Sequence, residues 1–349
     1  MRRLKIDLAR CRYRALIGTG GVGSGSFFAL EGDHTLGREE SRAGRFLDRQ
    51  DYCKLHIVTH YVQVLLGPGF HVIPASKVGD DDIGRRLLIE MQEIGLDTRY
   101  IVVSPGDATL YSFCFIYPDG SGGNLTTSNA ATAKVDPAFI AALEPEFARW
   151  SRRGMALALP EVPLPARLRL LELGAQYGFF RVASLTAQEA RSELALAVAR
   201  QCDLLALNLE EAAALVALDS PSVDPTEAIQ AALTHLRQAG SAAHLSVTGG
   251  KLGSWCWDGM ELHHVPAVPA QVVNTAGAGD AHLAGVIVGL VVGLSLPVAQ
   301  QLGSLIASRK VSCPHTLDKS LDRAALASLA RRAPLELDAL VWPLLDEDG

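Results

Sequence analysis

The sequence predicts an α/β protein with a doubly wound, mostly parallel sheet that has helices on both faces. From residue 135 onward, short apolar segments of strand length alternate with longer helical segments, which is the pattern of repeated βαβ units. Of the 349 residues, 48% are hydrophobic, so the chain can bury a large core, as one large domain or two. A small molecule is expected at the carboxyl ends of the strands, where sheets of this class bind their ligands.

The first predicted strand, Tyr13–Ile17, ends at a glycine-rich motif. Residues 18–23 read GTGGVG, a formal G-x-G-x-x-G. A dinucleotide fingerprint must open a helix, whereas Ser24–Gly44 contains four further glycines and shows no helical periodicity. We therefore interpret the motif as an exit from the first strand into a flexible flap, with a nicotinamide site as the alternative.

Two helices and three strands are predicted in the next part of the chain. Asp51–Leu66 fits an amphipathic helix that ends at the glycines around Pro68, and Arg85–Ile94 fits a second helix. Asp80-Asp81-Asp82 precedes the second helix and is typical of an N-cap, with a metal site as the alternative. The strands are expected at residues 71–76, 109–117 and, as an open hairpin or lid, 122–128.

The alternation of strands and helices becomes regular in the rest of the chain. Strands are predicted at residues 156–159, 179–183, 204–207 and 243–247, followed by a β pair at 254–257 and 262–265. Helices are predicted at residues 163–177, 187–200, 210–217 and 225–239, and one long buried helix at 281–296. Residues 1–335 are expected to form a single domain, and residues 336–349 a peripheral acidic tail.

Charge and cysteine usage argue against several partners and locations. The net charge is −6 and basic residues occur only in short runs, so no nucleic acid is expected as a partner. Six scattered cysteines without a C-x-x-C indicate free thiols in a reducing cytoplasm. Leu4–Arg14 is charged where a signal peptide would be apolar, so export is not expected. The longest apolar run, 284–296, is too short to span a bilayer, so no membrane partner is expected.

The strongest functional signal is the stretch from Asn274 to Asp280, which reads NTAGAGD. Small residues directly before a helix leave backbone N–H groups accessible to a ligand, and the positive end of the helix favours an anion. Asp280, on the first turn, is placed to accept a proton from an attacking hydroxyl, so the stretch predicts a site for phosphoryl transfer. The alternative is a glycine-rich turn that caps a buried helix.

Four stretches resemble, in order and spacing, the motifs of the ribokinase-like (PfkB) carbohydrate kinase family. They are residues 78–98 (VGDDDIGRRLLIEMQEIGLDT), 208–211 (NLEE), 248–253 (TGGKLG) and 274–280. The resemblance covers most of residues 12 to about 330. It implies a ribokinase-like fold with a small β-sheet lid, built from about residues 19–50 and 99–128. It also implies ATP-dependent transfer of phosphate to a hydroxyl of a sugar or sugar-like small molecule.

Matched by position, the resemblance implies a role for each residue of these motifs. The implied catalytic base is Asp280. Backbone amides form the implied anion hole, at Ala276, Gly277, Ala278 and Gly279. The implied nucleotide-binding residues are Asn208, Thr248, Gly250 and Gly253, and the implied metal-binding residues are Glu211 and Asn274. The implied cofactors are ATP and Mg²⁺. A monovalent cation and a homodimer formed through the lids are open further expectations of the same resemblance.

Structural alternatives stay open for two of these motifs. Asn208 with Glu211 also fits a helix cap, with Glu211 as the reciprocal partner three residues later. Thr248-Gly249-Gly250 also fits a plain turn after a strand. The family interpretation is favoured over both alternatives because the four motifs occur together in the family's order.

The sequence departs from the family at several positions. The family begins its last motif with Asp where this chain has Asn274, and an amide cannot supply the negative charge that helps to hold a cation. The family's sugar-binding Asp falls at Gly23, its Gly-Gly pair near Cys53-Lys54, and an Asn near Val58. The family's motifs for phosphate transfer are therefore kept, whereas its sugar-binding positions carry other residues. The sequence does not identify the acceptor. Candidates for binding it are Asp33, Asp51 and Lys54.

Three alternatives compete with an ATP-dependent carbohydrate kinase. One is a nucleoside kinase of the same family. Another is a kinase-fold nucleotide-binding protein with reduced or no catalysis, which Asn274 and the altered acceptor positions motivate. The last is the nicotinamide enzyme suggested by Gly18–Gly23, which we rank below the others.

Overall fold

Two β-sheets organise the part of the chain that the computed structural model describes, residues 2–119, 122–218, 224–333 and 336–346. The strands are β1 (Ala15–Thr19), β2 (Gly23–Leu30), β3 (Gly44–Tyr52), β4 (His71–Gly79), β5 (Ile101–Ser104), β6 (Leu110–Ile116), β7 (Gly122–Thr126), β8 (Gly154–Ala158), β9 (Phe180–Ser184), β10 (Leu204–Asn208), β11 (His244–Thr248), β12 (Ser254–Trp257) and β13 (Leu262–Val265). The helices are α1 (Lys54–Leu66), α2 (Asp82–Glu93), α3 (Pro137–Ala141), α4 (Glu144–Arg149), α5 (Leu164–Gln176), α6 (Ala187–Ala190), α7 (Leu194–Gln201), α8 (Leu209–Ala214), α9 (Pro225–Gln238), α10 (Ala278–Val291), α11 (Leu296–Val311), α12 (Arg323–Arg332) and α13 (Trp342–Leu345).

The larger sheet has the strand order β13-β12-β11-β10-β9-β8-β1-β4-β5 within the described ranges. Neighbours from β11 to β5 run parallel, and β12 and β13 join one edge antiparallel. The chain builds outward from β1 to β4 and β5, and then in the other direction from β8. The strand order therefore reverses between β1 and β8, which is where doubly wound sheets bind their ligands. The predicted fold class is confirmed.

Both faces of this sheet are buried under helices. Successive strand residues point to opposite sides, so each strand contributes to both hydrophobic clusters. Leu16 and Leu204 pack into one hydrophobic cluster, while Ile17 and Leu205 pack into the other. Helices α1, α10, α11 and α12 cover the first face, and α5, α7 and α9 cover the second. A Cβ at Gly285 of α10 would lie 2.6 Å from the Cα of Gly303 in α11, so glycine permits the close approach of these two helices.

The smaller sheet has the order β3-β2-β6-β7. The segments 19–50 and 99–128 supply most of it, as the sequence predicts, but β5 joins the larger sheet beside β4. Strand β1 leads directly into β2 instead of a helix, so the nicotinamide alternative lacks the helix it requires and is wrong. The predicted N-cap is confirmed at Asp81, whose Oδ1 accepts from the N–H of Gly84 over 2.8 Å.

Three further segments differ from the sequence prediction. Helix α1 begins at Lys54 because Asp51 and Tyr52 pair with β2. The long helix expected over 281–296 ends at Val291, and α11 begins at Leu296 after Gly293, whose φ is 92°. The expected helix at 187–200 is divided into α6 and α7.

The described part of the C-terminal tail is not peripheral. Leu337, Val341, Leu344 and Leu345 are buried in the same cluster as α1 and α12. Burying each of these apolar side chains is favourable by about 1.5–3 kcal/mol. This free energy keeps the segment packed on the domain although it contains acidic residues. Residues 347–349 lie outside the described residues. All six cysteines are free thiols, and no helix in the described ranges is long and apolar enough to cross a membrane.

Candidate active site

A cavity of about 920 Å³ opens at the carboxyl ends of β9, β10 and β11. Its walls are these strand ends, the first turns of α10 and the C-terminal half of α11. Two residues of the predicted set, Asn274 and Ala276, are in the loop before α10 and are not among the lining residues. The predicted site residues that line the cavity are Asn208, Glu211, Thr248, Gly250, Gly253, Gly277, Ala278, Gly279 and Asp280. The fold thus brings together motifs that are far apart in the sequence.

The loop before α10 exposes backbone donors to this cavity. Gly277 is the N-cap of α10 and has φ 77°, in the left-handed region. A Cβ there would lie 2.5 Å from the carbonyl oxygen of Thr316, so only glycine fits both the conformation and the space. The N–H groups of Gly277, Gly279 and Asp280 have no hydrogen-bond partner among the described residues. Three free donors at the start of a 14-residue helix are a geometry that can bind an anion.

Two of the predicted amide donors are already used inside the loop. The N–H of Ala276 donates to Oδ1 of Asn274 over 3.0 Å, and the N–H of Ala278 donates to the carbonyl of Thr275 over 3.1 Å. In this structure both amides are therefore engaged within the loop, although Ala278 still lines the cavity, and their role in the anion hole stays a prediction. Both N–H groups form hydrogen bonds within the turn that positions Gly277.

Asn274 shapes this loop with its side chain. Its Nδ2 donates to the carbonyl of Pro314 over 2.7 Å while its Oδ1 accepts from Ala276. Both ends of the amide are engaged, and the residue is almost fully buried. In the described part of the chain no group of three or more His, Cys, Asp or Glu side chains is arranged to hold a metal ion. These contacts favour a structural role for Asn274 over the implied metal-binding role.

Asn208 and Glu211 form the reciprocal helix cap that the sequence left open. Oδ1 of Asn208 accepts from the N–H of Glu211, and Oε2 of Glu211 accepts from the N–H of Asn208, both over 2.8 Å. The cap lies at the end of β10, where Asn208 is the register partner of Thr248 in β11. Burial raises the pKa of Glu211 to about 7. The same pair is therefore a cap and part of the cavity wall.

The segment after β11 turns sharply at two glycines. A short 3₁₀ turn spans Gly250–Leu252, and Gly250 and Gly253 have φ values of 58° and 94°. A Cβ at Gly253 would lie 2.2 Å from the carbonyl oxygen of Val265 in β13. Both positions need glycine, and together with Thr248 they line the cavity with backbone.

Lys54 meets Asp280 at the edge of the cavity. Nζ of Lys54 lies 3.5 Å from Oδ1 of Asp280, and the two side chains are 32% and 15% exposed. Lys54 is the first residue of α1, so the cation projects from the same face of the sheet that carries α10. The negative charge of Asp280 raises the pKa of Lys54. This pair keeps a charged lysine beside the proposed base.

Glu161 lies on the other side of Lys54, at the reversal of the strand order. Its Oε2 accepts from the backbone N–H of Lys54 over 3.2 Å. It follows β8 with φ 74°, a strained conformation for a residue other than glycine, and such strain is concentrated at functional sites. A Cβ at Gly21 would lie 2.1 Å from the same oxygen, so the turn after β1 approaches it closely. Burial raises the pKa of Glu161 to about 7.

Of the other two acceptor candidates, only Asp51 lies near this group. Asp51 is buried at the end of β3, burial raises its pKa, and the charge of Asp280 raises it further. Asp33 is exposed in the segment between β2 and β3. A charged cluster is therefore formed by Asp51, Lys54, Glu161 and Asp280, and it is the candidate acceptor end of the site.

The sequence pattern of the pfkB family of carbohydrate kinases matches residues 61–323 of this chain. The chain belongs to this family. An uncharacterized sugar kinase of Escherichia coli K12, YegV, is 46% identical over 67 residues, which is 19% of this chain and 21% of that protein. A deoxyribokinase of Salmonella typhi is 26% identical over 212 residues, 61% of this chain and 66% of that protein. The chain thus spans less than two thirds of either relative's own length.

The fold is that of ribokinase. The crystal structure of ribokinase from Cryptococcus neoformans var. grubii in complex with ADP has a TM-score of 0.72 to this structure. The identity is 19%, and the alignment covers 92% of this chain and 99% of that one. At this level of identity the likeness concerns the arrangement of the backbone, which agrees with the ribokinase-like sheet and lid topology predicted from the sequence.

In this pfkB-family chain, sequence reasoning underrated Lys54 and missed Glu161. Lys54 follows a cysteine where the family has a glycine pair, and only the fold brings it to Asp280. Glu161 belongs to none of the matched motifs. The signal available for it was a charged residue just after the buried apolar segment of β8, at a strand end where ligands bind.

Proposed function

We propose that the protein is an ATP-dependent kinase that transfers the γ-phosphoryl group to a hydroxyl of a sugar or sugar-like small molecule. The observation that supports this most is the position of Asp280 on the first turn of α10, beside three free amides and 3.5 Å from Lys54. A base, an anion site and a cation at one point are what phosphoryl transfer requires of a protein.

In the proposed reaction, the acceptor oxygen attacks the γ-phosphorus as Asp280 takes the hydroxyl proton, and ADP leaves with the electrons of the broken P–O bond. The N–H groups of Gly277, Gly279 and Asp280 donate to the oxygens of the phosphoryl group in transfer. They are fixed by the helix before the substrate binds, so they need no reorganisation as charge develops. Lys54, whose Nζ lies 3.5 Å from Oδ1 of Asp280, adds a positive charge beside the phosphoryl group in transfer.

The nucleotide is proposed to occupy the cavity between the Thr248–Gly253 turn and α10. The backbone of Gly250 and Gly253 would lie against it, and the triphosphate would point toward Gly277. The carboxylate of Glu211 and the phosphate oxygens of the nucleotide fit Mg²⁺, because this ion takes oxygen ligands and keeps several bound waters. Glu211 would hold the ion, and bound Mg²⁺ would neutralise phosphate charge.

The acceptor is proposed to bind where β1 and β8 diverge, in contact with Lys54 and Glu161. One cation and three carboxylates surround this place, which favours a neutral polyhydroxy acceptor that donates hydrogen bonds. The name of the related deoxyribokinase indicates an acceptor of this kind for that protein. The alternative acceptor for this chain is a nucleoside with a free hydroxyl.

The smaller sheet is proposed to act as a lid over the acceptor. Closure would exclude water and so suppress hydrolysis of ATP. Phe46 and Leu125 of this sheet are 67% and 63% exposed, and pairing of two lids in a homodimer would cover such side chains. A cytoplasmic location is proposed because all six cysteines are free thiols.

The test is an assay of ADP release with Mg-ATP against a panel of sugars, sugar acids, polyols and nucleosides. The proposal predicts release that depends on one class of acceptor. The matched measurement is the shift of melting temperature with ATP. Stabilisation by ATP without turnover on any acceptor would instead favour the non-catalytic nucleotide-binding protein, and stabilisation by neither ATP nor ADP would reject the nucleotide site.

A further inference from the structure

A fully buried lysine lies directly behind the anion-binding loop. Lys310, in the last turn of α11, has 0% exposure, and its Nζ donates to the carbonyl oxygen of Asn274 over 2.8 Å. No carboxylate in the described ranges lies within ion-pair distance of it. Lysine is almost never fully buried without a charged partner, because an isolated ammonium is costly to remove from water. A lysine at such a position is therefore expected to serve the loop that it contacts.

The end of α11 also holds the loop in place. The carbonyl of Val311 accepts from the N–H groups of Val273 and Asn274, over 2.8 and 3.1 Å. The carbonyl of Pro314 accepts from the side chain of Asn274. The Thr316 carbonyl packs against Gly277, whose N–H is one of the free anion donors. The helix end that carries Lys310 thus contacts the loop at its first residue and at its N-cap.

The charges that act on Lys310 connect it with the transfer site. Burial lowers the pKa of Lys310 to about 8. The carboxylates of Asp51 and Asp280 act in the opposite direction and favour the ammonium form, and the charge of Arg49 opposes it. The positive charge and the base Asp280 therefore interact although they do not touch.

The residues around this loop do not fit a monovalent cation, which the sequence left open as a further cofactor. The Asn274 carbonyl oxygen already accepts from Lys310, and Oδ1 of the same residue accepts from Ala276. The side chain at position 274 is neutral, so no anionic ligand balances a second cation beside the ammonium. A cation placed against this carbonyl would be repelled by Lys310.

We propose that Lys310 is a positioning residue whose buried ammonium group takes the place of a monovalent cation behind the anion-binding loop, so that phosphoryl transfer needs no such cation. This rests on the proposed kinase function. The ammonium holds the Asn274 carbonyl and thereby the turn that presents the free amides of Gly277, Gly279 and Asp280. Its charge adds to the positive potential at these donors, where the transferred phosphoryl group gains negative charge. Lys310 itself does not touch the substrate.

The test compares wild-type protein with Lys310→Met, which keeps the length of the side chain and removes the charge. Both are assayed for ADP release in buffers whose only monovalent cation is tetramethylammonium, and K⁺ or NH₄⁺ is then added at constant ionic strength. Wild-type kcat is expected to change less than about twofold. Lys310→Met is expected to lose about 10- to 1,000-fold in kcat, the range seen for one lost electrostatic group, with a smaller change in KM for ATP. NH₄⁺ or K⁺ should restore several-fold of that loss.

Lys319→Met is the matched control, because Lys319 pairs with Glu90 over 3.2 Å and is 44% exposed. It should show neither the loss nor the rescue. A wild-type enzyme that requires K⁺ or NH₄⁺ would overturn the proposal, even if Lys310→Met fails to fold. A folded Lys310→Met with full activity, or an inactive one that no cation rescues, would overturn it as well. Wild-type protein without turnover under every cation would instead reject the kinase function on which the proposal rests.

Discussion

The ammonium of Lys54 lies 3.5 Å from the carboxylate of Asp280 and joins the start of α1 to the first turn of α10. These helices follow strands that are far apart in the sequence, yet both cover the same face of the large sheet. Glu161 contacts the same lysine, because its carboxylate accepts from the backbone N–H of Lys54. One residue thus links the site of phosphoryl transfer with the proposed acceptor site.

Removing this cation should impair the transfer. Lys54→Met leaves Asp280 and Glu161 without the positive charge between them, so kcat/KM for the acceptor is expected to fall by about 10- to 100-fold, the cost of one charge-assisted contact of 1.5–3 kcal/mol. Steady-state kinetics on the acceptor found in the panel measures this. Lys54→Arg keeps the charge and should retain more activity than Lys54→Met. Equal kcat/KM in wild type and Lys54→Met would contradict the role given to this contact.

Gly277→Ala should disrupt the anion-binding loop. The substitution forces a side chain into a left-handed conformation and toward the Thr316 carbonyl, so we expect a loss of about 1–3 kcal/mol in the free energy of unfolding and at least a 100-fold loss of kcat. Urea unfolding and ADP release measure the two effects.

Gly106→Ala is the control for backbone strain alone. Gly106 has φ 77°, equal to that of Gly277, but nothing lies within 4 Å of its added Cβ. Its stability should fall by about 1 kcal/mol with kcat unchanged. If both variants keep full activity, the loop does not act as the anion site.

Stability should fall between about pH 4.5 and pH 7 because of Glu161. Burial raises its pKa from the ordinary 4.5 to about 7, so in this window the folded protein holds a proton that the unfolded chain has released. The stabilisation is complete below pH 4.5 and is lost as the pH rises through 7, by at most about 3 kcal/mol. Urea unfolding from pH 5 to 8 should show a shallower decline in Glu161→Gln. The same slope in both proteins would contradict this, and Glu93→Gln on the exposed face of α2 is the surface control.

Glu211→Gln should distinguish the contribution of Glu211 to the helix cap from its proposed role in binding Mg²⁺. The glutamine can still accept from the N–H of Asn208, so the melting temperature should change little. Loss of the negative charge should raise the Mg²⁺ concentration needed for half-maximal activity by about tenfold. Asn208→Ala loses the cap and should cost about 1 kcal/mol of stability. Unchanged Mg²⁺ dependence in Glu211→Gln would remove Glu211 from the metal site.

The sequence was sufficient where local physics decides the outcome. The cap of Asn208 with Glu211 and the glycine turn at Gly250, both left open as alternatives, follow from residue types at fixed short spacing. The alternation of strands and helices was sufficient for the parallel sheet, because each βαβ unit can pack in few ways.

The rest depends on contacts between distant segments. Lys54 reaches Asp280 across more than two hundred residues. The local signal at Glu161, a charge just after the apolar segment of β8, does not show that its carboxylate contacts the backbone of Lys54. Helix α1 begins later than its periodicity suggests because Asp51 and Tyr52 are used for strand pairing. Lys310 lies near the end of a helix whose pattern alone cannot show that the ammonium is buried on the loop of Asn274.

The most direct test of the central claim is transfer of labelled γ-phosphate from ATP to the acceptor, compared between wild type and Asp280→Asn. We expect a loss of about 10²- to 10⁴-fold in kcat for Asp280→Asn, because the general base is removed, while ATP still raises the melting temperature. Asp82→Asn, at a fully exposed carboxylate of α2, should transfer label at the wild-type rate. Phosphoryl transfer by Asp280→Asn within threefold of wild type would contradict the assignment of Asp280 as the base.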